Sequence, residues 1–239
     1  PDKIEQNMIL PFSDEEEKIY VANLAKVNEE LQQLYDIEGS DKMQILKMLT
    51  RLRQLCLEPR LVYDNIDQPS SKLKACMELI KTMQENKQKV LLFSSFTSAL
   101  DLIAEECQKA GITYYMLTGS TNKEERRELV SRFQKDDTTL FLISLKAGGT
   151  GLNLTSAENV IHYDPWWNVS AQNQATDRAY RIGQKSNVQV FNLVMKDSVE
   201  EKIIEMQKRK KELADMFVEN NSGGLSQMSK EDILSLFTM

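Results

Sequence analysis

The sequence predicts an α/β fold, a parallel sheet with helices on both faces, and two observations predict it. From Ser71 onward, helix-like and strand-like segments alternate, which is the pattern of parallel strands joined by helical crossovers. The segments KVLLFSS, TLFLIS and NVIHYD are almost continuously apolar until their polar C-terminal ends, as strands buried on both faces must be. In such sheets ligands gather beyond the C-terminal strand ends. Ser94, Ser95, Ser144, Asp164 and the loops after them are therefore the places to look for chemistry.

In chain order, the first 60 residues read as helical. Ser13 followed by Glu16 forms a capping-box pattern, and Ile19, Leu24, Val27, Leu31 and Leu34 make a helical stripe that Gly39 ends. Ser40 or Asp41 then caps a second helix carrying Ile45, Leu49, Leu52 and Leu55, which stops before Pro59, because a proline disfavours helix in the residue preceding it. The alternating region follows: helix 71–86, strand 89–95, helix 97–110, strand 113–117, helix 122–135, strand 139–144, strand 159–164, helix 170–182 and strand 188–194. A last long helix, 198–220, starts at Ser198 with Glu200 and Glu201 in its first turn and carries the basic run KRKK at 208–211, which reads as a solvated face. NSGG at 221–224 breaks it, and 229–237 is a short amphipathic closing segment with Ile233, Leu234 and Phe237 available to dock. The expected organisation is a helical entry segment over 1–70, an α/β lobe over 71–197 and a C-terminal helix and tail over 198–239.

Composition excludes several classes. At 239 residues with 41% hydrophobic side chains, the chain can bury a sizeable core. No apolar run approaches the roughly 20 residues that span a bilayer, and the acidic N-terminus is unlike a secretory signal, so an intracellular protein without a membrane partner is expected. Cys56, Cys76 and Cys107 are odd in number and form no CxxC pair, which points to buried reduced thiols rather than a metal or disulfide framework. The net charge of −6 is carried by residues 1–38, which hold ten acids against three bases and sum to −7, leaving +1 for the remainder. A near-neutral lobe can still present a basic groove.

The chemistry-bearing segment is 174-QATDRAYRIGQ-184. Arg178 and Arg181 lie three positions apart on the helix predicted there, a spacing at which two guanidiniums can converge on one phosphate. Alone, that spacing is also what a solvated helix face carries. Gln174 one turn earlier and the glycine-rich stretch 144-SLKAGGTGLNL-154 upstream make a phosphate site the better reading, with permanently charged arginine forks able to stabilise a transferring phosphoryl group. His162, the single histidine, lies within a strand without an identifiable partner and reads as structural. Of Trp166 and Trp167, one is expected in the core. No GxxxxGK[ST] loop and no DEAH-like box occurs in these residues, so the parts that cradle the β- and γ-phosphates are not among them.

In order and spacing, KVLLFSSFTSALDLI (89–103), LTGSTNKEERRELVSRF (117–133), SLKAGGTGLNL, NVIHYDPWWN (159–168) and QATDRAYRIGQ resemble the second helicase lobe of a SWI/SNF-type ATPase of superfamily two. RLRQLCLEPRL (51–61) resembles the helical protrusion of that lobe, and SVEEKIIEMQKRKKELA its bracing helix. Tyr180, Lys146 and the DPWWN ending depart from the commoner His, Arg and acidic versions, and resemble bacterial or distant members. The resemblance implies a RecA-like lobe. It implies that Gln174, Arg178 and Arg181 reach the γ-phosphate of ATP across an interlobe cleft, with Arg181 as arginine finger, and that Gly151 and Asn153 line the nucleotide side. Ser144, Lys146, Gly148 and Trp167 would face the nucleic-acid strand, the glycines at 148, 149 and 151 letting the backbone approach.

The implied function is the second motor lobe of an ATP-dependent double-stranded-DNA translocase. Its partners would be a first lobe of the same polypeptide, duplex DNA and a DNA-bound protein cargo. ATP and Mg2+ would be held mainly by that first lobe, so the chain alone should be inactive. The abrupt start at Pro1 fits a longer ATPase, located in the bacterial cytoplasm or nucleoid, or in the nucleus of a eukaryote. Two alternatives stay open: a non-catalytic binding module, and the same motor serving RNA-polymerase recycling.

Overall fold

The computed structural model describes residues 1–35, 42–148, 151–216 and 230–238. Six strands form one sheet in the order β1-β6-β5-β2-β4-β3: β1 Lys3–Leu10, β2 Val90–Ser94, β3 Tyr114–Leu117, β4 Leu140–Ser144, β5 Asn159–His162 and β6 Val188–Met195. The pairs β2/β4, β2/β5, β3/β4 and β5/β6 are parallel. Every residue of β2 and of β4 is buried, which requires cover on both faces and accounts for the unbroken apolar runs. On one face Leu91, Phe93, Phe141, Ile143 and Val160 pack with Phe133 of α5 (Lys123–Lys135) and with Ala175 and Ala179.

The chain divides into two compact units. The first comprises Pro1–Met8, Leu73–Trp166 and Ser170–Val194 and holds most of the sheet; the second comprises Ile9–Lys72, Trp167–Val169 and Met195–Met239. In the second unit α1 (Asp14–Tyr35), α2 (Lys42–Leu57), α7 (Val199–Met216) and α8 (Lys230–Ser235) share a core of Leu24, Leu31, Leu49, Leu52, Ile203 and Phe237, among others. The anticipated α1 stripe is this core. Ser13 and Glu16 form the capping box, Ser13 Oγ accepting from the Glu16 N–H at 3.2 Å and Glu16 Oε2 from the Ser13 N–H at 3.4 Å.

α3 (Ser71–Glu85) and α4 (Thr97–Ala110) follow the predicted bounds to within a residue. α5 begins where Asn122 Oδ1 accepts from the Glu125 N–H at 2.8 Å. Gly39, the caps at 40 and 41, Gly149, the NSGG break and the expected end of the last helix at 220 lie outside the described residues. Of the basic run, Lys208 and Arg209 are exposed. The three cysteines are free and buried, and burial pushes the Cys107 thiol up to about 12, far from reactive thiolate. No helix among the described residues is long and apolar enough to cross a membrane.

Two expectations are corrected. Residues 3–10, read as part of a helical entry, form edge strand β1. It runs beside β6 in the same direction, the Asp2 carbonyl accepting from Val188 N–H and that of Leu10 from Lys196 N–H. Asn192 Nδ2 donates to Glu5 Oε1 and Asn7 Oδ1 at 3.0 Å each. The strand is mostly exposed, so it lacks the apolar signature of its buried neighbours, and its cause is pairing with residues over 180 positions away. The second correction concerns the helix expected over 170–182: α6 is Val169–Thr176, and Arg178 and Arg181 lie in the turns after it. The helix stops because its next carbonyls are used elsewhere. That of Arg178 accepts from the Leu154 N–H at 3.0 Å, and that of Ala179 from Gln184 Nε2 at 3.0 Å.

Candidate functional site

β4 and β5 lie on either side of β2, so the connection between them, the glycine-rich stretch, crosses the sheet where neighbouring loops diverge, the usual location of a ligand crevice. Its start is tightly folded. The Ser144 carbonyl accepts from the N–H groups of Ala147 and Gly148 at 3.0 Å each. Gly148 is buried, and a Cβ there would fall 3.3 Å from Phe93 Cε1, so its small size serves close packing inside the lobe. Gly151 differs: its φ of +60° is left-handed and a Cβ would meet nothing within 4 Å. Here glycine is needed for the turn, and the backbone is open to solvent.

The two arginines sit beside this loop. Arg181 is exposed, and its Nη1 donates to the Leu152 carbonyl at 3.3 Å, between Gly151 and Asn153. Burial, then the neighbouring Arg181 charge, push the Arg178 guanidinium below its ordinary value, with Asp177 opposing; it nonetheless remains cationic at neutral pH. Arg178 Nε is buried without a hydrogen-bond partner among the described residues. Gln184 braces the turn: its Nε2 donates to the carbonyls of Ala157 and Ala179, and its Oε1 accepts from the N–H groups of Lys185 and Ser186. This role was missed in the sequence reading, although Gln184 closes the motif.

The other candidates divide by burial. Lys146 and Asn153 are exposed, as is Gln174 on α6. Ser144 is 5% exposed, and its Oγ has no partner among the described residues. Trp166 is core, packed edge-on against Phe93 and His162. Trp167 is partly buried in the helical unit, its ring 5.8 Å from the Arg53 guanidinium. Ser94 Oγ donates to Asp164 Oδ1 at 2.7 Å, and the Ser95 N–H donates to the same oxygen at 3.1 Å, a self-satisfied network that knits two strand ends. His162 is fully buried, its Nε2 2.9 Å from Thr176 Oγ1, and burial lowers its pKa to about 3.

A feature the motif reading passed over is a cleft of about 700 Å³ between α5 and residues 151–153, lined by Lys123, Arg126 and Arg127 from the helix and by Gly151, Leu152 and Asn153 opposite. The signal was in the sequence: KEERR puts three bases at positions 1, 4 and 5 of a helix, hence on one face. Arg126 also donates to the Ala147 carbonyl, tying α5 to the root of the glycine loop.

Residues 71–183 match the helicase conserved C-terminal domain. Over 99% of its length the chain superposes on half of the Sulfolobus solfataricus SWI2/SNF2 ATPase core solved with double-stranded DNA, with TM-score 0.80 and 31% identity. The chain belongs to the SWI/SNF-type helicase C-terminal lobes. It also matches the C-terminal part of the Fun30 ATPase domain (TM-score 0.79, 25% identity, 99% of this chain and 98% of that one), so the sheet is the RecA-like lobe expected. Relatives include an uncharacterized ATP-dependent helicase of Mycoplasma pneumoniae, 34% identical over 99% of this chain and 23% of the relative. They also include the Saccharomyces cerevisiae ISWI chromatin-remodeling complex ATPase ISW1, 33% identical over 98% of this chain and 22% of the relative. This SWI/SNF-type lobe therefore spans about a quarter of the length of the curated relatives it matches. Bacterial and eukaryotic members resemble it almost equally.

Proposed function

We propose that this lobe is the second motor half of an ATP-dependent double-stranded-DNA translocase, supplying Arg181 as an arginine finger to a triphosphate held by a first lobe of the same polypeptide. The observation that carries the reading is the Arg178–Arg181 pair, two mutually repelling guanidiniums presented from a braced turn against the Gly151–Asn153 backbone. A γ-phosphate beside Arg181 would offset the unfavourable effect of its charge on Arg178. As charge develops on the transferring group, the fixed forks stabilise it more than the ground state, which is what accelerates hydrolysis. Gln174, exposed on α6 one turn before Arg178, would join them at the same phosphate. Lys146 is the exposed cation of the glycine loop and would meet the DNA backbone; Gly148, buried against Phe93, is too enclosed to face a strand. Closure of the lobes would align Arg181 with ATP, and reopening would shift the grip along the duplex.

Among the described residues no three His, Cys, Asp or Glu side chains come together as a metal would need. Under this reading Mg2+ would be held with the nucleotide, mainly by the first lobe.

The test is steady-state ATP hydrolysis by the full-length protein with saturating duplex. Arg181→Ala should lower kcat by roughly 10³-fold while DNA affinity survives, and Arg181→Lys should restore little because an ammonium lacks the fork. Hydrolysis within about threefold of wild type would remove Arg181 from the finger role, since one lost charge-assisted contact costs more than that.

A further inference from the structure

The turn that presents Arg181 has little packing of its own. Gly183 reverses the chain at a left-handed φ of +104°, and the Gln184 N–H closes the turn onto the Arg181 carbonyl at 3.0 Å. Ile182 at its tip is fully exposed, and a hollow of about 380 Å³, lined by Pro1 and Arg181 among others, lies beside it. A turn so placed takes its stance from its two shoulders. Gln184 holds one, through the carbonyls of Ala157 and Ala179. The other shoulder is Tyr180, the residue before Arg181.

The Tyr180 ring is partly buried against an apolar core that includes Ala179 and Val188, and its hydroxyl donates to the Pro1 carbonyl at 3.1 Å. The Lys3 ammonium stands 5.8 Å from the ring centroid, within the range of a cation–π contact. The acceptor is itself fixed. The Asp2 N–H donates to Asn187 Oδ1 at 2.8 Å, and the Asp2 carbonyl accepts from the Val188 N–H at 2.9 Å, so the start of β1 is tied to the start of β6. β1 also has the Asn192 bonds to Glu5 and Asn7 and needs no help from Tyr180 to stay in place. The consequence of the Tyr180–Pro1 bond therefore falls on the turn. A rigid ring packed along its body and bonded at its polar tip leaves the Tyr180 backbone little freedom, and Arg181 follows directly.

We propose that Tyr180 is a positioning residue for Arg181: its hydroxyl, held by the Pro1 carbonyl, makes the start of β1 a strut that sets the angle at which the guanidinium is presented. The inference rests on the motor reading above, which makes Arg181 the finger. Angle matters because a planar fork stabilises a transferring phosphoryl group only when its N–H groups point at the oxygens, and small misplacements of a catalytic group are costly in rate.

The test is steady-state ATP hydrolysis by the full-length protein with saturating duplex, for wild type, Tyr180→Phe, Arg181→Ala and the double variant. Phenylalanine keeps the packed ring and removes only the hydroxyl, so the fold should hold. The kcat of Tyr180→Phe should fall about three- to tenfold, the effect of one lost neutral hydrogen bond. KM for ATP and duplex affinity should stay within about twofold of wild type, because the finger acts in the transition state. In the Arg181→Ala background the same change should have no further effect, since a residue that acts through Arg181 has nothing left to position. Tyr180→Phe within about 1.5-fold of wild type, with Arg181→Ala nearly inactive, would overturn the strut alone. So would an equal loss in both backgrounds, which would make Tyr180 a structural residue. Wild-type hydrolysis by Arg181→Ala would overturn the finger reading, and the strut with it.

Discussion

At the scale of single residues, the site is built from groups left unfavourably placed in the lobe alone. Burial and then the Arg181 charge disfavour the Arg178 cation, and Arg178 Nε lacks an acceptor among the described residues. His162 is half satisfied: its Nε2 meets Thr176 Oγ1, while its buried Nδ1 has no hydrogen-bond partner among the described residues. Stacked on Phe93 at 5.6 Å and bonded to Thr176, it is held neutral by burial, with its pKa lowered to about 3. An unfolded histidine titrates near 6.5. Below that pH the unfolded chain takes up a proton that the folded chain refuses, so stability is full above about pH 6.5 and erodes as pH falls toward 3, by about 1.4 kcal/mol per unit. Urea unfolding at pH 7 and pH 5 should therefore show wild type losing about 2 kcal/mol more than His162→Gln; equal losses would mean that the ring takes up its proton as readily in the fold as in the unfolded chain.

At the scale of elements, strong local signals survived and weak ones were overruled. The Ser13–Glu16 capping box is present as read, but Glu16 does more than cap: its Oε1 also accepts from the Ser71 N–H at 2.7 Å and Ser71 Oγ at 3.0 Å. Ser13→Ala removes one capping bond and should cost about 1 kcal/mol. Glu16→Ala removes the reciprocal bond and orphans the start of α3 as well, so about 2 kcal/mol is expected by chemical denaturation. Comparable losses for the two would show that the Ser71 contact contributes nothing. The end of α6 went the other way. Nothing in ATDRAYRI forbids helix, and the chain leaves it because Leu154 and Gln184 claim its carbonyls, partners 24 residues upstream and 5 downstream.

At the scale of the whole molecule, each compact unit is closed by contacts distant in sequence. In the helical unit, Lys72 Nζ donates to both carboxylate oxygens of Glu200 at 2.6 and 2.7 Å, both side chains essentially fully buried. Glu200 Oε1 also accepts from the Met195 N–H, so within this unit the pair ties Lys72 and Met195 to the first turn of α7. Lys72→Met leaves a buried carboxylate without its cation and should cost about 3 to 5 kcal/mol. A loss under 1 kcal/mol in thermal and urea unfolding would show that water reaches Glu200. Taken alone, the chain should hydrolyse almost no ATP under the motor reading, because its arginines would have no triphosphate to act on.

The apolar runs of β2, β4 and β5, the helical stripes of α1 and α2 and the ordered motifs around the glycine loop are local or periodic, so the sequence by itself determined the parallel α/β core, the family and the arginines to watch. Strand β1, the early end of α6, Gly148 acting as a packing residue against Phe93, and the cleft that sets Lys123, Arg126 and Arg127 of α5 opposite residues 151–153 were decided by the tertiary structure. Each depends on a hydrogen bond or a close approach between residues far apart in the chain. Such contacts leave no period in the sequence and become visible only when both partners are in place.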